Sequence, residues 1–159
     1  MRYILLDRIT EVTPGQSARG IKCVSLTDDV LHDHFPGLPL YPGALLIEAT
    51  AQLAGFLLEV TENAPDVESP RRALLVAVDR VKLARACEPG DSIDLLATIS
   101  RSLEGASQVS VEASVRGESA MRGVLTFMLR AIDEPRIHEQ RRSLYRIWTR
   151  HLTPPVRIP

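Results

Sequence analysis

The chain has 159 residues, enough for one domain with a proper hydrophobic core. It is 45% hydrophobic and 25% charged, with a formal net charge of -1 and 4% aromatic residues. This is a globular composition without the basic surplus or the stacking platforms of a nucleic-acid binder, so no nucleic-acid partner is expected.

Residues 2–13 read as a strand with partial alternation, Pro14-Gly15 as a turn, and Ala18 to Leu26 as a returning strand, together a hairpin. The apolar run after Met1-Arg2-Tyr3 is too short for a signal peptide. Cys23 and Cys87 are far apart with no metal or redox spacing, which reads as two thiols in a reducing compartment. Thr27-Asp28-Asp29 begins a helical turn, with Thr or Asp as its cap, leading into His32 and His34. A His-x-His pair beside an acid is a metal-ligand pattern, but no further His occurs before His138, and no metal site is expected.

The segment His34 to Gly55, HFPGLPLYPGALLIEATAQLAG, is a loop stiffened by Pro36, Gly37, Pro39, Pro42 and Gly43 that runs into a helix. Pro42 is expected at the first helical position, where its fixed φ fits. The helix, from about Pro42 to about Val60, is apolar on nearly every side, as a buried helix is. Glu48 and Gln52 break the pattern and share one face, one turn apart. Burial of a carboxyl favours the protonated form that a general acid needs; the alternative is a Glu paired with an Arg at a helix end or interface. His34 suits a general base. Gly43 leaves the unpaired N–H groups of the helix start open to a carbonyl oxygen. Base, acid and oxyanion donor together suit proton abstraction next to a carbonyl and loss of a β-hydroxyl. Gly55 costs helix propensity, which points to close approach of a strand or helix. Residues 43–58 are slightly short for a membrane span and carry Glu48 and Gln52, so the chain is read as not transmembrane, and cytoplasmic.

Residues 61–72 form a polar, Pro-bearing surface loop. Strands are expected over Ala73–Ala84, Ser92–Leu103, Ser107–Arg116 and Ala120–Ile132, with turns at Glu104-Gly105 and Gly117-Glu118. Short turns between alternating runs make antiparallel neighbours. One long buried helix wrapped by a curved antiparallel sheet is an α+β architecture. The tail, 133–159, is read as a basic amphipathic helix starting near Glu134-Pro135, with Ile137, Leu144, Ile147, Trp148 and Leu152 as its apolar stripe. It would dock on its own domain, a partner or an anionic membrane surface, and Pro154-Pro155 is expected to be extended and mobile.

The pattern HFPGxPxxPGxLxxExxAQ, followed by Val78-Asp79-Arg80-Val81-Lys82-Leu83, Arg85 and Pro89-Gly90-Asp91, resembles the hot-dog-fold 3-hydroxyacyl-ACP dehydratases of bacterial fatty-acid synthesis. The resemblance covers residues 1–132. It implies a hot-dog fold and reversible dehydration of (3R)-3-hydroxyacyl-ACP to trans-2-enoyl-ACP. His34 matches the catalytic base and Glu48 the catalytic acid. Gly43 matches the oxyanion-binding amide, Gln52 a polar neighbour of the acid, and Leu40 and Pro42 complete the substrate-binding set. It implies a homodimer whose sites combine His34 of one chain with Glu48 of the other, with higher or hetero-oligomers open. It also implies an acyl carrier protein as partner. No cofactor is implied, because 4'-phosphopantetheine arrives as part of the substrate. Lys82 and Arg85, near Arg71, Arg72 and Arg80, are either a rim that steers that acidic partner or ordinary solvated charge, and loop 61–72 either covers the acyl tunnel or simply connects. Where the family has Gly before its His and a second His four residues after it, this chain has Asp33 and Leu38; Leu83 stands for the Phe of the second block. These departures bear on substrate preference. A thioesterase, with Glu48 activating water, and a non-catalytic partner subunit are the alternatives.

Overall fold

In the computed structural model, which describes residues 3–65, 67–103 and 105–159, six strands form one antiparallel sheet in the order β1-β2-β4-β5-β6-β3. The strands are β1 (Arg8–Thr13), β2 (Ser17–Cys23), β3 (Arg71–Leu83), β4 (Ser92–Leu103), β5 (Ala106–Val115) and β6 (Glu118–Ala131). Alternation decides which face each strand buries. Ile93, Leu95 and Ala97 of β4 and Val109, Val111, Ala113 and Val115 of β5 point inward, against helix α1 (Gly43–Glu62). A helix of 20 residues is about 30 Å long, enough to cross the whole sheet and, by composition, a membrane. Here it is core: Leu46, Ala49, Leu53, Phe56, Leu57 and Leu58 are buried within the protein.

Helix α2 (Pro135–Thr149) is capped by Glu134, whose side chain accepts from the Arg136 N–H. Its inner face keeps Trp148, Leu144 and Leu152 of the expected stripe and departs from it elsewhere. Tyr145, Trp148, His138 and Thr149 are buried, whereas Ile147 is 58% exposed. Aromatic packing decides the rotation: Tyr145 meets Phe56 of α1 edge-on at 4.9 Å and stacks on Trp148 at 5.7 Å. The end of the chain is also packed rather than free, with Val156 and Ile158 against the core and Pro159 buried.

Other boundaries move for local reasons. β1 begins at Arg8, because the Leu5 and Leu6 N–H groups are taken by the Gln52 side chain instead of a strand neighbour. Pro42 is the N-cap, with ψ 129° in the extended region, and Gly43 is the first helical residue. Arg71 and Arg72 belong to β3, not to the loop before it. At Gly55 nothing approaches closely: a Cβ there would meet the Ala73 Cβ at 3.8 Å, an ordinary contact. The expected turn at Glu104-Gly105 and the start of the first strand at Arg2 fall partly outside the described residues.

Candidate active site

The loop after the 3-10 turn Asp29–His32 closes on itself. Phe35 and Leu38 exchange backbone hydrogen bonds of 2.8 and 2.9 Å, and the Leu40 N–H donates to the His34 carbonyl at 2.9 Å. Gly37 lies at φ 77°, which glycine adopts without steric cost. The Tyr41 N–H reaches the Cys87 carbonyl at 2.8 Å, clipping the loop to the segment that follows β3. His34 is half-buried, and its Nδ1 lies 2.8 Å from the Leu40 carbonyl oxygen. A carbonyl only accepts, so Nδ1 carries the proton and Nε2 keeps its lone pair. Leu40 thus acts through its main chain.

Pro42 offers its carbonyl to the Leu45 and Leu46 N–H groups, while those of Gly43 and Ala44 have no partner among the described residues. A Cβ on Gly43 would overlap the end of the Leu83 side chain, which would have to swing away. His34, Leu40, Gly43, Leu46 and Leu83 line one cavity of about 360 Å³. His34 and the Gly43 N–H therefore share a cavity, and Leu83 forms its wall.

Glu48 is half-buried on α1. The Gln52 amide donates to Glu48 Oε1 at 3.0 Å and to the Tyr3 carbonyl at 3.1 Å, while Gln52 Oε1 accepts from the Leu5 N–H at 2.9 Å. The i, i+4 spacing gives this contact directly. Glu48 opens into two grooves. One, of about 240 Å³, runs along Ala73, Leu74 and Leu75 of β3; the other, of about 820 Å³, runs along α2. His34 lines neither, and Glu48 does not line the His34 cavity.

Asp33 holds His32, at 2.9 Å, and not His34; both are 90% exposed. The basic cluster separates. Arg72 is buried, and Lys82 lies roughly 30 Å further along the extended strand. Arg85, beyond β3, pairs with Asp91 and Glu118. Sequence reasoning missed Glu59, the acid that is truly buried. It accepts from Arg72 Nη1 at 2.5 Å, Tyr145 Oη at 2.7 Å and the Ala73 N–H at 3.1 Å. Burial and the Glu59 carboxylate push the Tyr145 phenol well above its usual range. Glu59 was visible as an acid inside an apolar helix, the same signal that singled out Glu48. It also missed Tyr41, whose buried hydroxyl has no hydrogen-bond partner among the described residues and is pushed up chiefly by desolvation, then by Asp28. Among the described residues no three His, Cys, Asp or Glu side chains group as metal ligands.

Residues 1–123 match the model of the family described as FabA-like domain. A 3-hydroxyacyl-[acyl-carrier-protein] dehydratase FabZ from Cereibacter sphaeroides is 35% identical over 127 residues, covering 80% of this chain and 81% of that protein. The FabZ of Clostridium acetobutylicum is 36% identical over 126 residues, covering 79% and 86%. Among solved structures, a hot-dog-like protein from Thermanaerovibrio acidaminovorans superposes with TM-score 0.62 at 19% identity, over 84% of this chain and 92% of that one. A chain of the dehydratase heterocomplex ApeI:P from Xenorhabdus doucetiae gives 0.63 at 20%, over 87% and 90%. At those identities the structures speak for the fold alone, a hot dog.

Proposed function

The chain belongs to the FabA-like family, and from that premise we propose how its own residues carry out the reaction. It is a hydro-lyase that dehydrates 3-hydroxyacyl-ACP in fatty-acid synthesis. His34 Nε2 takes the C2 proton of the (3R)-3-hydroxyacyl thioester. The Gly43 N–H, at the positive end of α1, holds the thioester oxygen as it gains enolate charge. Glu48, steadied by Gln52, gives its proton to the 3-hydroxyl, which leaves as water, and the trans-2-enoyl thioester remains. The observation that carries this reading is the commitment of His34 Nδ1 to Leu40, which frees Nε2 towards a cavity shared with Gly43.

The acid comes from a second copy of the chain. β3 is an edge strand with Leu74, Val76, Val78 and Leu83 exposed, an aggregation hazard unless paired. An antiparallel pairing of two copies centred on Val78 and Asp79 sets Leu74 of one across from Leu83 of the other. Leu74 lines the Glu48 groove and Leu83 the His34 cavity. The acyl carrier protein and its 4'-phosphopantetheine arm are the substrate's carrier. A cytoplasmic location goes with this reading, supported by the burial of α1 within the core and two unpaired cysteines.

The test is hydration of a trans-2-enoyl pantetheine thioester by the wild type, His34→Ala and Glu48→Gln, with products identified by mass. Gain of one water with the thioester intact, lost in both variants, supports the reading. Free thiol would make the protein a thioesterase, and no turnover by the wild type would favour a non-catalytic subunit. Mixing the two inactive variants under subunit exchange should restore roughly a quarter of the activity, because half the dimers then hold one intact site. No recovery in exchanged dimers would refute the shared site.

A further inference from the structure

The family match ends at residue 123, yet α2 lies beside the acid. Beside its buried face, α2 carries half-buried Ile137, Leu144, which also touches the core, and exposed Ile147, three of the five residues of the expected stripe. With Tyr3 and Ile4 they line the groove of about 820 Å³ in which Glu48 and Gln52 stand. That volume lies within the usual range of small-molecule sites, and the lining is mixed, with the apolar Ile4, Ile137, Leu144 and Ile147 beside Glu139, Gln140, Arg141 and Ser143. Glu48, Gln52 and Arg141 line both this groove and the smaller one along β3, so the two are continuous across the acid.

We propose that α2 is a wall of the acyl site: the groove along Ile137, Leu144 and Ile147 receives the acyl chain beyond the reacting carbons and sets which lengths are accepted. The occupant follows from continuity with the acid. A 3-hydroxyl held at Glu48 leaves the remaining carbons of the chain to run away from the thioester, and this groove offers them the larger apolar space. The anchoring of α2 from its other face, through Tyr145 to Phe56 and Glu59, fixes the wall in place. The inference rests on the dehydratase reading of Glu48, and the test separates the two.

Two readouts are taken on the full chain: the ratio of kcat/KM for trans-2-dodecenoyl over crotonyl pantetheine, and calorimetric binding of dodecanoyl and butanoyl pantetheine, which needs no turnover. The variants are Ile147→Glu, at an exposed position that leaves folding intact, and Leu144→Trp, which fills the groove. Arg146→Glu on the exposed face of α2 is the control. The expected result is a tenfold or greater fall in the kinetic ratio for both groove variants, a matching loss of the preference for dodecanoyl in binding, and no change in the control. A wild type that turns over both substrates with ratios unchanged in Ile147→Glu and Leu144→Trp would overturn the inference and leave the dehydratase reading standing. Chain-length-dependent binding lost in the variants, with no hydration by the wild type, would sink the dehydratase reading and keep the groove. A fall in ratio equal in the control would also overturn the proposal, because it would not be specific to this face.

Discussion

Replacing Arg72 with Met would strand Glu59 as a charge in the centre of the protein. Both side chains are almost wholly buried, at 3% and 2% exposure, and Arg72 supplies the only cation on the Glu59 carboxylate among the described residues. Breaking a buried ion pair from one side costs about 3–5 kcal/mol. For a domain of this size that is roughly 6–20 °C in Tm. The informative comparison is Glu59→Gln made in two backgrounds. In the wild type it strips the charge that balances Arg72 and lowers Tm. In Arg72→Met it removes the stranded charge, while the Gln oxygen still accepts from the Ala73 N–H and its NH2 group donates to Tyr145 Oη, so Tm rises. Such a reversal of sign is a coupling that only direct interaction produces. Thermal unfolding followed by circular dichroism at neutral pH reads it. The same sign in both backgrounds, or an Arg72→Met cost under about 1 kcal/mol, well short of the buried-pair range, would refute a buried and mutually dependent pair.

Three further outcomes follow from single sites. Gly55→Ala should stabilise the protein by about 0.5–1 kcal/mol, because the helix gains propensity and the new Cβ meets Ala73 at ordinary contact distance; a lower Tm would mean that something else seats there. Tyr41→Phe should raise stability by about 1 kcal/mol by removing a buried hydroxyl without a partner among the described residues, and a loss in urea unfolding would show that the hydroxyl is satisfied in solution. Burial, then Asp91, pushes the Cys87 thiol up against a smaller opposing effect of Arg85, so its reactive thiolate appears only at higher pH than in an ordinary cysteine. Alkylation mapped by mass spectrometry should therefore mark exposed Cys23 near pH 8 and reach Cys87 only under strongly alkaline conditions; equal labelling at pH 8 would contradict this.

What the sequence settles by itself is whatever is local in the chain. The HFPG loop, the start of the helix within one residue of Pro42 and the i, i+4 contact of Glu48 with Gln52 depend on φ preferences and helix spacing, and each was legible without a fold. So were the alternating strands β4, β5 and β6, because period two shows which residues face a core. What lay beyond reach depends on residues brought together from far apart. Glu59 finds Arg72 and Tyr145 from two other elements, and nothing in its own helix announces them. The rotation of α2 is of the same kind. Its composition allows two apolar faces, and only the fit of Tyr145 against Phe56, with Trp148 stacked on Tyr145, selects the one that is buried. That selection turns Ile137, Leu144 and Ile147 towards Glu48, and it is a property of packing rather than of pattern.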